Sequence, residues 1–347
     1  MKRMTNKTLD PLKTASYDYS LPKEQIATYP VTPASDAKLL VYNKSTQEII
    51  HTTYNNLLDY IPKNTNIFFN DTKVIKARIF GKKHTGGKVE LLFNKPYIND
   101  TFMVYIRGKV LVGYELSFEH NLVVKIEELY EDGMRVVSFY QDNKKLNFLE
   151  VVELLNEIGH IPLPHYLERE DEKSDDINYQ TLFAKNYGAV AAPTASLHFT
   201  AELLDKLKEE FSTYYLTLHV GAGTFKPVEC EDILNHPMHS EFYDIPESSK
   251  KVLDEKNNIL AVGTTVTRTI EYYNDTQQKN GEANLFLNPS NKPKKVDYLL
   301  TNFHLPKSTL IMLVASFVGL EETLRIYDIA VSQKYRFFSY GDGMLII

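Results

Sequence analysis

Between Val74 and Tyr140 the chain passes through five short runs rich in β-branched and aromatic residues: KVELLF, TFMVYIRG, KVLVGYELSF, NLVVKIEELY and MRVVSFY. Gly, Asn and Asp separate them at close intervals, and no helical pattern intervenes. Strands spaced this way are joined by hairpins, so the region can close only as a small barrel or sandwich. The flanking sequence behaves differently. AELLDKLKEEF is followed by TYYLTLHV, and NNILAVG by RTIEYY, an alternation of helix and strand periods that builds an α/β layer. The expected fold is therefore α/β: a larger α/β domain from residues 14–72 and 151–347, with a small all-β module, 73–150, inserted into it as a barrel or a sandwich. A chain of 347 residues is long enough to bury two cores.

Composition narrows the class of chemistry. Cys230 is the only cysteine, so an intrachain disulfide and a multi-cysteine metal cage are both excluded, and a reducing, cytoplasmic setting is expected. The charge-free apolar stretch from Ser308 to Leu320 is shorter than the ~20 residues of a membrane helix. No membrane partner is expected. Net charge is −6, from 39 Lys+Arg against 45 Asp+Glu, so the whole-molecule field does not mark a nucleic-acid binder. Locally, Lys73, Lys76, Arg78, Lys82, Lys83 and Lys88 outnumber the acids Asp71 and Glu90 around them. This is either a nucleic-acid contact or a solvated face. Residues 1–13 read as an extended tail, and the acidic stretch from Glu168 to Asp176 as a surface loop.

Five polar, Gly-, His- and Thr-rich connectors interrupt the α/β pattern, and such loops at strand ends are where α/β proteins place sites. GHIPLPHY, from Gly159, reads as a rigid loop presenting histidines or as a structural turn. YGAVAAPTASLHFT carries Thr194 and His198 and ends with Thr200 placed to cap the next helix; His198 is either a site residue or a satisfied buried histidine. TLHVGAGTFKPV contains His219, Gly221, Gly223 and Thr224 after a strand. It lacks the third glycine and the immediate helix of a dinucleotide fingerprint, so its glycines serve a tight turn or a ligand's close approach. AVGTTVTRT runs strand, loop, helix, with Thr264 and Thr265 at the helix start and Arg268 one turn in; Thr264 is an N-cap or part of an anion site. TNFHLPKSTL sets His304 and Lys307 before a helix that Ser308 is placed to cap, and YRFFSYGDGML adds Asp342. No H-E-x-x-H or comparable spacing marks a metal site, and no G-x-S-x-G elbow marks a hydrolase.

Together these segments resemble one family, the S-adenosylmethionine:tRNA ribosyltransferase-isomerases of queuosine biosynthesis. The resemblance runs from YDYSLPKEQIATYP to YRFFSYGDGMLI and is densest in GHIPLPHYLERED, YQTLFAKNYGAVAAPTASLHFT, LTLHVGAGTFKPV, MHSEFYDIP, AVGTTVTRT and LLTNFHLPKSTLIMLVASF. It departs from the family pattern at Ser196, where glycine is usual, at Val266-Thr267, at Phe242 and at Gly343, where alanine is common. The resemblance implies a larger α/β sandwich domain with an inserted small antiparallel β-barrel domain, 73–150, which agrees with the strand spacing. It also implies transfer of the ribosyl part of S-adenosylmethionine to 7-aminomethyl-7-deazaguanine at the wobble position of tRNA. Epoxyqueuosine would result, with adenine and methionine released.

S-adenosylmethionine would then be a co-substrate, no metal would be needed, and the partners would be that tRNA and S-adenosylmethionine, with a monomeric enzyme. For such chemistry the candidate catalytic residues are His198, His219, Arg268, Glu241 and Asp342. Thr194, Gly221, Gly223, Thr224, Thr264, Thr265, His304 and Lys307 are expected to bind S-adenosylmethionine. Which of His198 and His219 acts as base and which as acid stays open. A non-catalytic RNA-binding module and a methyltransferase are the alternatives.

Overall fold

Runs such as NIFFN, YYLTL, ILAV and YLLTN are apolar at consecutive positions, the pattern of strands covered on both faces. In the computed structural model, which describes residues 9–221 and 228–347, they form the centre of a nine-stranded sheet. Ser212–Leu218, Thr65–Asn70, Asn258–Val262 and Tyr298–Asn302 lie side by side in that order, all parallel. Gly343–Ile346 runs antiparallel beside Tyr298–Asn302, followed by Lys38–Tyr42 and its hairpin partner Ile49–Thr53. On the opposite flank Glu241–Asp244 and Asn280–Ala283 add antiparallel strands. Helices of this unit include Ala201–Glu210, Thr264–Thr276 and Thr309–Val318. Two have the caps expected of them: the Thr200 hydroxyl accepts the Leu203 N–H at 3.2 Å, and the Ser308 hydroxyl accepts the Ile311 N–H at 3.4 Å.

The second unit is the barrel. Strands Met134–Gln141, Phe102–Arg107, Lys88–Pro96, Arg78–Lys83, Glu115–Ser117 and Leu122–Leu129 pair antiparallel in that order, and the last returns to the first. The spacing left barrel and sandwich open; six strands closed on themselves make it a barrel. Inward residues such as Ile79, Leu91, Phe93, Val104, Val124 and Phe139 fill it. So do Val151, Leu154 and Leu155 of helix Phe148–Ile158, which starts in a capping box between Asn147 and Glu150. Because that helix shares the barrel's core, the compact unit comprises 72–192 and 219–221 rather than stopping at 150. The other unit comprises 9–71, 193–218 and 228–347.

Two loop expectations change. Residues 11–13 are docked, not trailing: the Leu12 carbonyl accepts the Ile233 N–H, and the Tyr17 hydroxyl donates to the Pro11 carbonyl. In the acidic stretch Asp175 is buried and takes a two-pronged bond from Arg169 at 2.7 and 2.8 Å, so this segment is pinned from inside.

Candidate active site

The register of the large sheet decides where its connectors emerge. The four parallel strands end at Asn70, Leu218, Val262 and Asn302, on one edge. Gly343, at the start of its strand, is paired with Asn302, so Asp342 reaches the same edge. Glu241 starts a strand antiparallel to Ser212–Leu218 and lies just past the Leu218 pairing. The carboxyl edge of parallel strands is where open α/β sheets bind ligands.

One cluster on this edge centres on Asn302. Its side-chain N–H donates to His198 Nε2 at 3.2 Å and its oxygen accepts from the Thr194 hydroxyl at 2.9 Å. His198 stacks on Tyr54 with centroids 4.3 Å apart and also hydrogen-bonds the Ala34 backbone. Burial, with Arg336 adding to it, lowers the His198 pKa to about 3, so the ring is neutral. Nε2 is thereby engaged and the ring is buried and stacked, as in the buried-histidine reading weighed from sequence. Ser196, where the family pattern has glycine, takes an ordinary negative φ; its buried hydroxyl is without a hydrogen-bond partner.

The second cluster surrounds helix Thr264–Thr276. Its N-cap is Gly263, not Thr264, and Gly263 has φ +100°, where a side chain is strained. No side chain caps the first turn, in which Thr264 and Thr265 sit. Arg268 Nη1 meets Glu241 Oε2 at 2.9 Å, the two side chains being 6% and 4% exposed. Arg268 Nε donates to the Leu285 carbonyl at 3.3 Å, and among the described residues Nη2 has no hydrogen-bond partner. A buried guanidinium with an unused N–H fork is costly unless something else occupies it.

The remaining candidates divide. Both Asp342 oxygens accept backbone N–H groups, from Lys38 at 2.9 Å and Arg336 at 2.7 Å, so it clamps the C-terminal loop. Burial raises its carboxyl pKa. His304 is buried; its Nε2 is 3.0 Å from the Thr301 hydroxyl, and Tyr19 hydrogen-bonds its carbonyl. Burial lowers its pKa to about 3. Lys307 is half-exposed and ion-paired with Asp18 at 2.6 Å. His219 and Gly221 belong to the barrel unit. There His219 Nδ1 is 2.8 Å from the Thr72 hydroxyl, its ring lies against Gly188, and burial lowers its pKa to about 4. Gly223 and Thr224 lie outside the described residues.

The basic cluster also splits. Lys73 sits 4.4 Å over the Tyr187 ring, Lys76 pairs with Asp176 at 2.9 Å, and Arg78 with Glu90 at 3.3 Å. Lys82 and Lys88 are exposed on facing strands of one hairpin, and Lys83 donates to the Lys109 carbonyl at 2.6 Å. Asn302 and Tyr54 were not singled out from sequence: an amide inside a strand and an aromatic in a core carry no local signal of their own. Among the described residues no group of His, Cys, Asp and Glu is arranged to hold a metal ion, and no helix is long and apolar enough to cross a membrane.

Comparison with known proteins places these features among relatives. Residues 14–346 match the family model described as queuosine biosynthesis protein. A protein of Aliarcobacter butzleri named S-adenosylmethionine:tRNA ribosyltransferase-isomerase is 68% identical over 98% of this chain and 100% of its own length. A Campylobacter jejuni protein of the same name is 55% identical over 97% of this chain and 99% of its own. The crystal structure of an S-adenosylmethionine tRNA ribosyltransferase from Thermotoga maritima superposes with a TM-score of 0.54 at 31% identity, covering 96% of this chain and all of that one.

Proposed function

Since the chain belongs to the S-adenosylmethionine:tRNA ribosyltransferase-isomerase family of queuosine biosynthesis and is an enzyme of that kind, we propose that its acceptor is 7-aminomethyl-7-deazaguanine at the tRNA wobble position. The ribosyl carbons of S-adenosylmethionine pass to the aminomethyl nitrogen, giving epoxyqueuosine. Adenine and methionine leave, and one proton is released overall. The sulfonium acidifies the 5′ carbon; a base takes a proton there, adenine departs, and the amine's attack ends with loss of methionine as a neutral thioether.

The observation that carries this reading is the buried Arg268–Glu241 pair with its spare Nη2, on the edge where Thr264 and Thr265 begin an uncapped helix. A net-neutral cation–anion pair matches the methionine zwitterion: Arg268 takes the carboxylate and Glu241 the ammonium. His198, buried with Nε2 held by Asn302, fixes the 193–200 loop.

The test incubates the enzyme and substrate tRNA with S-adenosylmethionine or its decarboxylated analogue. Expected are adenine and methionine in equal amounts, dependent on the tRNA, and a strong preference for the carboxylated donor. Arg268→Gln should lower kcat/KM for S-adenosylmethionine by about 10- to 150-fold, the worth of a hydrogen bond to a charged group, and narrow that preference. Release of S-adenosylhomocysteine would mean methyl transfer and sink the reading.

A further inference from the structure

Strand Arg78–Lys83 alternates inward and outward residues, and its outward set is Arg78, Phe80 and Lys82. Phe80 is 52% exposed, an unusual place for a phenyl ring in a strand whose neighbours are charged. Across the hairpin Lys82 faces Lys88 directly, and like charges so placed oppose pairing. The next strand brings Arg107 opposite Glu90, with its side chain 89% exposed. Glu90 is the acid between these cations, 3.3 Å from Arg78 and 3.9 Å from Arg107.

The loop that starts at Gly159 is laid along this strand. Arg78 and His160 exchange backbone hydrogen bonds, and the Arg78 guanidinium donates to the Leu163 carbonyl at 3.3 Å. Asp171 takes the His160 Nδ1–H at 3.0 Å while its other oxygen accepts the Ile161 N–H at 3.0 Å. Asp171 thus fixes the imidazole, which packs against Phe80 with centroids 5.2 Å apart at 68° and leaves Nε2 as the nitrogen open to a ligand. An exposed ring braced from one side, with Glu90 directly across from it, the Lys82–Lys88 pair one step along the hairpin and Arg107 on the strand beyond Glu90, has the make-up of a stacking platform beside phosphate-binding cations.

We propose that this outer face of the barrel, centred on Phe80, holds an unpaired nucleotide of the RNA substrate: the base stacks on Phe80, and Lys82, Lys88 and Arg107 bind the flanking phosphates. This extends the reading that the substrate is a tRNA and rests on it. Lys73 and Lys76, already engaged with Tyr187 and Asp176, take no part.

The test measures dissociation constants of the full-length enzyme for an anticodon stem-loop RNA and for a blunt duplex of the same stem. Phe80→Ala should weaken stem-loop binding by about 5- to 150-fold, as loss of one stacked base does, while Phe80→Tyr restores it. Should the alanine variant fold poorly, Phe80→Leu keeps the apolar bulk against His160 and removes the aromatic face, with the same loss expected. Lys82→Glu with Lys88→Glu should reduce the salt slope of log K by about 1.4, two phosphates at ~0.7 each. Stem-loop binding unchanged in Phe80→Ala and Phe80→Leu, or weakened equally for the duplex, overturns the platform. Wild-type turnover of tRNA with S-adenosylmethionine tests the underlying reading separately, since it can fail while the stem-loop still binds through Phe80.

Discussion

Gly343 shows how one hydrogen atom can hold a site open. A Cβ there would fall 2.1 Å from the Tyr54 hydroxyl oxygen and 3.0 Å from the Thr301 carbonyl, and Tyr54 is the ring on which His198 stacks. The Tyr54 hydroxyl is buried and has no hydrogen-bond partner among the described residues, so it contributes crowding rather than bonding. Gly343→Ala should destabilise by about 1–3 kcal/mol through overpacking. Tyr54→Phe alone should be close to neutral, and the glycine substitution should cost less in the phenylalanine background. A double-mutant cycle by urea unfolding measures the coupling, expected at about 0.5–3 kcal/mol for groups in direct contact; strict additivity would show that the hydroxyl is not what excludes the methyl group. The departure from alanine at 343 was visible in the sequence, but its reason was not, because Tyr54 lies almost 290 positions away and meets it only through the sheet.

At the scale of elements, helix Phe148–Ile158 carries more than its length implies. Its Leu155 is fully buried in the barrel core, whereas Asn147 only caps its first turn. Leu155→Ala is expected to cost about 2–5 kcal/mol and Asn147→Ala about 0.5–2 kcal/mol. Equal losses in denaturant titrations would mean that the helix is held by its end and not by its packing. Strand spacing announced an all-β module, barrel or sandwich, because hairpins without crossovers leave few ways to bury alternating faces. The place of this helix was less legible: a sequence break between strand and helix patterns at 150 looks like a boundary, yet an amphipathic helix joins whichever core its apolar stripe meets. Three connectors were legible together, those after Leu218, Val262 and Asn302, since a parallel arrangement sends carboxyl ends the same way, whereas GHIPLPHY lies along the barrel strand Arg78–Lys83. Individual roles were not: Asp342 and His198 look catalytic by type, and it took the backbone amides around one and the Asn302 amide beside the other to reveal their engagements.

For the whole molecule, three buried histidines govern the acid limb of stability. Burial depresses His198 and His304 to about 3 and His219 to about 4, against an ordinary value near 6.5. Their contribution is complete above the unfolded value and is lost as pH falls through that value toward the folded ones, because the unfolded chain then binds protons that the folded chain refuses. Asp342 and Glu271 act in the opposite sense: burial raises their carboxyls, so they regain stability on protonation at lower pH. Between about pH 6 and pH 5 the three histidines should lower the unfolding free energy by up to roughly 1.4 kcal/mol per pH unit each, with uptake of protons by the two buried carboxyls subtracting from that slope. His304→Gln should remove about one proton from that slope, read from urea midpoints across the range; a slope unaltered by the substitution would place the titration elsewhere.

The ring of strands that meets itself at Met134–Gln141 and Leu122–Leu129 has a consequence for recognition. A sheet closed on itself leaves little idle rim of amides to offer a visiting chain, and the chain itself occupies places where this one opens: Lys144–Lys145 pairs beside Tyr140 and Gln141, and His160 beside Arg78. Whatever this cylinder grips must be gripped by the tips of its outward side chains, and a single exposed phenyl among lysines becomes its readiest handle.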